Sequence, residues 1–595
     1  MLLAPTGAAT GTPAGASGAI QLRAIRRGGL AGSLLLLLGS LGAGALPVYD
    51  PVRQWPGLSV LRLGVGPTVA LALAYVGAAI LGLAWLYLGR AVRAAIAGTG
   101  PDVDVPVLFR LGLTWGAPML VAVPLFSRDL YSYAAQAQLT HAGLDPYSAG
   151  PVSLPGPFAD EVEHLWVDTP APYGPLWLTL GRLVAIITRD HVALTVLCMR
   201  LIAVGGVLLT ARYLPRLATA CGADPRLAVW LSLLNPLLLT HFVAGGHNDA
   251  LMVGLVVAGV TIAIEVTRST PYGARKLALG AVLCTLAVLV KAPAVLAVGF
   301  LVPIWAVRTD DRRPWLAAVV KVGAVAVATF VLATLATGLG IGWVRLLNTP
   351  GLLVNFLSIP TGVALLVNTL RGIAQATSPQ DPLIGALRLV GQACTVLLCC
   401  YLWVRAQRVQ PVRALGLALL LLVMLGPVVQ PWYLMWPLAL LAATRLADWA
   451  VAGIACVSLM LVLLIAPQGA ALLLNWTPVV MSALAAVVAT YLVLGDHLTL
   501  RVPALAAPAQ PVVAPAQLAV APAQPDPAAL AQQDQREAEE QVLNGRPGQP
   551  RAEDRLLVIG HHLPVGQDAV GQKLEDQHDG VRQPEHPAQH QPGPQ

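Results

Sequence analysis

Charged side chains are scarce in this chain: Asp, Glu, Lys and Arg together make up 11% of its 595 residues, where a soluble domain carries about 25%. That shortage excludes a soluble globular protein and a disordered polyelectrolyte alike. Cysteine is also sparse. The seven cysteines (Cys198, Cys221, Cys284, Cys394, Cys399, Cys400 and Cys456) lie in or beside apolar runs. Their spacing fits neither a disulfide framework nor a thiolate metal site, which leaves small buried residues. No Rossmann-like Gly-rich loop and no soluble catalytic domain is present, so nucleotide binding of that kind has no carrier. Before Gln21 there is no basic region leading an apolar one, so this Ala/Gly/Thr-rich stretch does not read as a cleaved signal.

What remains is apolar: 56% of residues are hydrophobic and the mean hydropathy is +0.70. Such a composition predicts an all-α polytopic membrane protein, because a helix crosses the bilayer with about 20 apolar residues. Runs of this kind begin near Gly28, Gly66, Pro106, His191, Arg226, Asn248, Arg275, Ala292, Trp315, Leu383, Val412, Trp432, Trp449 and Thr477, or roughly fourteen transmembrane helices by the length criterion. Two further stretches, Tyr173 to Thr188 and Gly351 to Leu370, are short or broken by Gly and Pro. They read as re-entrant or interfacial helices.

The formal charge of +7 is no nucleic-acid signal. Seven basic and twelve acidic residues fall from Arg501 onward, leaving 30 basic against 18 acidic in the preceding 500. That surplus sits in short loops, at Arg23, Arg26, Arg27, Arg90, Arg93, Arg212, Arg216, Arg268, Arg275, Lys276, Arg308, Arg312, Arg313, Arg405, Arg408 and Arg413. Positive-inside topology then puts these loops in the cytoplasm of a multi-pass protein. Three organisational segments follow: 1–27, a disordered N-terminal stretch; 28–495, the membrane domain with a large outward loop at 126–172; and 496–595, a cytoplasmic Ala/Pro/Gln-rich tail too poor in apolar residues to bury a core. The tail histidines, His561, His562, His578, His586 and His590, have no fixed ligand spacing, so no metal site is assigned.

Three polar clusters face outward under this topology. In the first, Ser127-Arg128-Asp129-Leu130-Tyr131-Ser132-Tyr133 follows an apolar span, and a charged pair at a membrane face is a site hypothesis by default. Asp129 could cap a short helix over Leu130 to Thr140 or serve as a general base for a hydroxyl. Asp145, Asp160, Glu161, Glu163 and Asp168 offer further acids in the same loop. In the second, His247-Asn248-Asp249 follows Gly245-Gly246; it reads as a helix cap, or as a contact to sugar hydroxyls or phosphate. Lys291 either snorkels or meets an anionic leaving group. The third, Gln430-Pro431-Trp432-Tyr433, carries aromatic rings suited to an interfacial belt or to sugars and isoprenoid chains.

As a set, Ser127 to Tyr133, Asp145-Pro146-Tyr147, Tyr173-Gly174-Pro175-Leu176-Trp177, Gly246 to Leu251 and Gln430 to Leu434 resemble the actinobacterial polyprenol-phosphomannose-dependent alpha-1,6-mannosyltransferases of the MptA/MptB type. The run from Gly32 to Pro47 is similar too, and the resemblance covers roughly Gly28 to Gly495. It implies a GT-C glycosyltransferase fold in the plasma membrane, with an extracytoplasmic active site. The implied chemistry is inverting, without a cofactor and with at most weak divalent-metal dependence. Its partners would be a polyprenol-phosphate-mannose donor, a mannosylated glycolipid acceptor of the lipomannan or lipoarabinomannan core, and the bilayer, with no nucleic acid. Asp129 maps onto the family's catalytic base. Arg128, Tyr131, Tyr133, Asp145, Tyr147, Tyr173, His247, Asn248, Asp249, Lys291, Gln430, Trp432 and Tyr433 carry over as substrate contacts. One departure is that the superfamily often pairs acids in this loop, whereas Arg128 precedes Asp129 here; a second acid comes from further along or is absent. Two alternatives are an arabinosyl- or glucosyltransferase of the same fold, and a flippase or transporter of lipid-linked sugars. The latter should show internal repeats and mid-membrane polar residues, and no clear repeat is present.

The charge asymmetry makes a topological prediction. Reporter fusions after Arg216 and after Arg312 should read cytoplasmic, and fusions within 145–168 extracytoplasmic; a cytoplasmic signal from that loop would reverse the orientation.

Overall fold

The computed structural model describes residues 14–49, 55, 57–372, 378–469 and 476–495. Among these residues every regular element is helical. The chain opens with α1 (Ala14–Ala43), α2 (Gly66–Ile96) and α3 (Val105–Leu120), then α4 (Asp129–His141), α5 (Pro175–Thr188), α6 (Val192–Ala220) and α7 (Pro225–Ser232). A single turn, α8 (Pro236–Leu238), runs into a π-helical segment, Leu239–Ala244. There follow α9 (Asp249–Ile264), α10 (Gly273–Val288), α11 (Val295–Ala306), α12 (Pro314–Thr337), α13 (Ile359–Leu370) and α14 (Pro382–Val404). The last elements are α15 (Ala406–Val409), α16 (Pro411–Met424), α17 (Met435–Ala442), α18 (Asp448–Leu464) and α19 (Trp476–Leu494).

Six of these helices are long and apolar enough to cross a bilayer, and the bent pair of Pro225–Ser232 with Pro236–Ala244 makes a seventh if it forms one span. Eight shorter apolar helices of 10–17 residues accompany them. The molecule is thus a polytopic helical membrane protein whose clear spans are fewer than the roughly fourteen apolar runs of the sequence. The difference arises where apolar runs are broken into pieces: the run around Trp432, for example, is a 3-10 turn opened by Pro431, Pro431–Leu434, followed by only eight residues of α17. The two stretches expected not to cross contain α5 and α13, 14 and 12 residues long, or about 21 and 18 Å of helix against a hydrocarbon core of about 30 Å. The expected disorder before Gly28 is corrected at one end, since helix begins at Ala14 and the first span is the end of a longer helix. The expected tail from residue 496 lies outside the described residues, as do residues 1–13.

Without a hydrophobic drive between helices in lipid, close approach depends on small residues. The sequence supplies them in register. A Cβ at Gly32 would sit 2.7 Å from Leu81 N, and one at Gly39 2.7 Å from Ala74 N, so α1 and α2 touch backbone to backbone. Gly206 of α6 lies against the Ala250 and Leu251 backbone of α9, Gly254 returns the contact, and a Cβ at Gly259 would sit 2.7 Å from Gly280 O of α10. This glycine seam sets α6, α9 and α10 side by side. Trp85 and Trp230 clasp α2 to α7: their rings stack at 5.2 Å, and each indole N–H donates to the other's carbonyl, at 2.9 and 2.8 Å. Both polar groups are thereby satisfied in an apolar interior.

Behind the loop of residues 126–172 a buried arginine performs a related task. Arg200 on α6 donates to the carbonyls of Leu120, Ala122 and Ala244 at 2.7–2.9 Å, closing the open C-terminal carbonyls of α3 and of the π-helical segment. Both segments lead directly into the polar clusters.

Because Gly206 has no room for a side chain, Gly206→Ala should force α6 from α9 and cost about 1–3 kcal/mol, the scale of overpacking. Its neighbour Gly205 faces open space, so Gly205→Ala should be neutral or slightly stabilising. Melting temperatures of the detergent-solubilised variants decide this, and equal values for the two would refute the seam.

Candidate active site

α4 owes its position to a tight bend before it. Phe126 takes a left-handed φ of 65°, a strained conformation for a non-glycine residue, and its N–H donates to Pro467 O at 2.7 Å. The Ser127 hydroxyl then accepts from Asp129 N at 3.0 Å. The Asp129 side chain makes no capping bond to its helix; it lies 3.4 Å from His247 Nδ1. The capping reading of this carboxylate is therefore not realised. His247 is itself fully buried and stacked on Trp432, with ring centroids 3.9 Å apart.

Asp129 stands on the wall of a cavity of about 790 Å³. Of the expected site residues, Arg128, Tyr173, Lys291, Gln430, Trp432 and Tyr433 line it too. Tyr133, His247, Asn248 and Asp249 sit behind that wall. The Tyr133 hydroxyl donates to Asn248 Oδ1 at 3.3 Å, and its ring meets Tyr173 edge-on at 5.3 Å. Neither Asn248 nor Asp249 caps α9. Instead Asp249 accepts from Lys291 Nζ with both oxygens, at 2.9 and 2.8 Å, and from the Trp436 indole at 2.6 Å. Lys291 lies over the faces of Tyr433, Trp436 and Tyr173 at 5.0, 5.6 and 5.8 Å, a cation–π cage. It is neither snorkelling nor solvated.

The Tyr173-Gly174-Pro175 motif has a backbone reason. Gly174 packs against the Leu289 carbonyl with no space for a Cβ, and the N–H groups of Gly174 and Leu176 donate to Val290 O and Leu289 O at 3.3 and 3.1 Å. The motif is thus fastened to the strand of chain that ends in Lys291.

Three expected residues lie away from the cavity wall. Asp145 folds its own turn, accepting from Tyr147 N at 3.0 Å and from Ser148 Oγ at 2.9 Å. Tyr147 packs on Gly342. Tyr131 donates to Ala45 O at 2.9 Å and lies under Arg128. Arg128 reaches the cavity, but its guanidinium is engaged with Glu161 O, Glu161 Oε2 and Leu46 O at 2.8–3.2 Å. Buried Glu161 also accepts from Val48 and Tyr49 N–H at 2.8 and 3.2 Å. This pair ties the loop to the segment after α1. Among the lining residues given no role from the sequence are Ser132, Gln136 and Trp166. The first two share the spacing of one helix face with Asp129, a signal that was available. Among the described residues no group of three His, Cys, Asp or Glu side chains could hold a metal.

The electrostatics favour an ionised carboxylate at the wall. Burial pushes the Asp129 carboxyl up, yet the His247 contact and charge, the Lys291 charge and the Ser127 hydroxyl outweigh it and hold it below the ordinary value. Burial and nearby carboxylates keep the Tyr173 phenol protonated well above its usual range. The arrangement can therefore take a proton from a hydroxyl placed in the cavity while an ammonium stands across from it.

Residues 26–307 match the family described as "Alpha-(1->6)-mannopyranosyltransferase, N-terminal domain", and residues 360–495 match "MptB C-terminal domain". Alpha-(1->6)-mannopyranosyltransferase A of Mycobacterium tuberculosis is 35% identical over 456 residues, covering 75% of this chain and 85% of the relative. The Corynebacterium glutamicum proteins of the same name, A and B, are 28% and 29% identical, covering 78% and 71% of this chain and 96% and 72% of their own. No solved structure matches.

Asp129 must be ionised to accept a proton, so turnover should fall as pH drops through its lowered pKa. His247→Gln removes the imidazole contact and charge, raises that pKa and should move the acid limb of the kcat/KM profile to higher pH. An unmoved limb in a well-expressed variant would show that His247 does not govern this carboxyl.

Proposed function

Since the chain belongs to the MptA/MptB family of alpha-(1->6)-mannopyranosyltransferases and is a membrane glycosyltransferase, we propose that it moves a mannosyl group from a polyprenol-phosphate-mannose donor to the 6-hydroxyl of a mannosylated glycolipid. In this reading it adopts the GT-C plan and extends a lipomannan or lipoarabinomannan core at the outer face of the plasma membrane.

The observation that carries the mechanism is Asp129, held ionised on the wall of the 790 Å³ cavity. The acceptor O6 attacks C1 of the mannosyl group while the bond from C1 to the phosphate oxygen breaks and its electron pair leaves with the lipid phosphate. Asp129 takes the hydroxyl proton. A single displacement inverts C1, so a beta-linked donor gives an alpha-linked product. Both cations expected to meet the phosphate are already paired, Arg128 with Glu161 and Leu46 and Lys291 with Asp249; Lys291 is the one whose ammonium sits among aromatic rings of the cavity lining. Developing phosphate charge is stabilised by such a pre-placed ammonium. The cavity has a chemically mixed lining that suits an amphipathic donor: Leu346, Leu347, Leu353, Leu422 and Ile465 offer apolar surface for isoprenoid units, and Asp129, Lys291 and Gln430 offer polar groups for sugar and phosphate.

Asp129→Asn should lower kcat by at least about 100-fold with little change in donor KM. Lys291→Ala should raise donor KM and, by leaving Asp249 buried and unpaired, cost about 3–5 kcal/mol of stability. Membrane assays with labelled polyprenol-phosphate-mannose, with protein levels and melting temperature alongside, test both. Near-normal turnover of Asp129→Asn would move the base to another acid.

A further inference from the structure

Two polar side chains on the cavity wall have no role in the chemistry above. Ser132 and Gln136 both line the cavity, each is 6% exposed, and Ser132 Oγ and Gln136 Oε1 have no hydrogen-bond partner. A helical serine ordinarily returns its hydroxyl to the carbonyl four residues back. Thr140 on the same helix does so, donating to Gln136 O at 2.7 Å. Ser132 does not. A buried unpaired oxygen costs free energy unless something else pairs with it, and two of them on one wall of one cavity point to a ligand.

Their register says what kind. Ser132 and Gln136 follow Asp129 by three and seven residues, so all three lie along one face of α4, about 4.5 and 10.5 Å from Asp129 along the axis at 1.5 Å per residue. Ser132 and Gln136 can each donate and accept, which matches a row of sugar hydroxyls and neither a carboxylate nor an apolar chain. We propose that Ser132 and Gln136 form a hydroxyl-reading subsite for the acceptor glycan, continuing along α4 from the hydroxyl that reacts at Asp129. This rests on the reading of Asp129 as the base facing the acceptor. Ser132 meets hydroxyls of the sugar that bears the reacting oxygen, and Gln136 meets the sugar beyond it. Selection for the acceptor sugar then resides in unpaired oxygens that a deoxy analogue leaves unsatisfied.

The test uses full-length protein in membranes, labelled polyprenol-phosphate-mannose, and a synthetic alpha-1,6-linked dimannoside acceptor with its single-deoxy analogues. Ser132→Ala and Gln136→Leu should each raise acceptor KM about three- to tenfold, the worth of one neutral hydrogen bond, with kcat nearly unchanged. For wild type, at least one deoxy acceptor should lose a similar factor, and the matching variant should lose nothing further with that analogue, as a double-mutant cycle requires. A rise in donor KM alone would overturn the acceptor assignment and move the subsite to the donor sugar. If no deoxy acceptor is weakened with the unmodified protein, a result that needs no variant to fold, the subsite is refuted while mannosyl transfer stands. Failure of the unmodified protein to transfer mannose would take down the proposed function and this inference together.

Discussion

The buried ion pair of Lys291 with Asp249 is the constraint on which the site depends. Asp249 is wholly buried, and an unpaired charge there would cost several kcal/mol. Both its oxygens accept from Lys291, and one also accepts from Trp436. The three residues come from the start of α9, the link between α10 and α11, and α17. A single electrostatic contact thus fixes three distant stretches of chain around one cavity. It also leaves the ammonium next to Tyr173, Tyr433 and Trp436, where its charge still helps hold Asp129 ionised.

The other partner of Asp129 is placed by backbone geometry. Gly246 has a left-handed φ of 63° and a Cβ there would lie 2.9 Å from Leu130 Cδ1, so the turn before α9 presses directly against α4. That closeness delivers His247 behind Asp129. Arg200, anchored to Leu120, Ala122 and Ala244, holds both approaching segments from below. The strained Phe126 bend is tolerated because its N–H is fixed by Pro467. Strain of this sort persists only where surroundings over-determine it.

Much of this was legible in the sequence, for identifiable reasons. Helical membrane architecture follows from composition, and the motif set around Asp129, His247, Tyr173 and Trp432 was sufficient to indicate the family that the comparisons establish. Grouping His247, Asn248, Asp249, Lys291, Gln430, Trp432 and Tyr433 with Asp129 anticipated residues that the fold brings together. What the sequence hid was partnership. Nothing local says that Arg128 spends its donors on Glu161 and Leu46, or that Asp145 only closes a turn. Helix count was hard to read because apolar content continues through proline breaks that end helices. Ser132 and Gln136 were passed over because short polar residues in a helix look like surface, whereas α4 is buried nearly all round.

The central claim is that Asp129 faces the acceptor hydroxyl while Lys291 faces the donor phosphate. A structure with a non-transferable mannosyl phosphonate lipid and an acceptor dimannoside bound together tests it most directly. The account predicts the acceptor O6 within about 2.6–3.2 Å of an Asp129 carboxylate oxygen and the phosphonate on the Lys291 side of the same cavity. An acceptor hydroxyl held by a different acid, or a phosphonate bound away from Lys291, would contradict it.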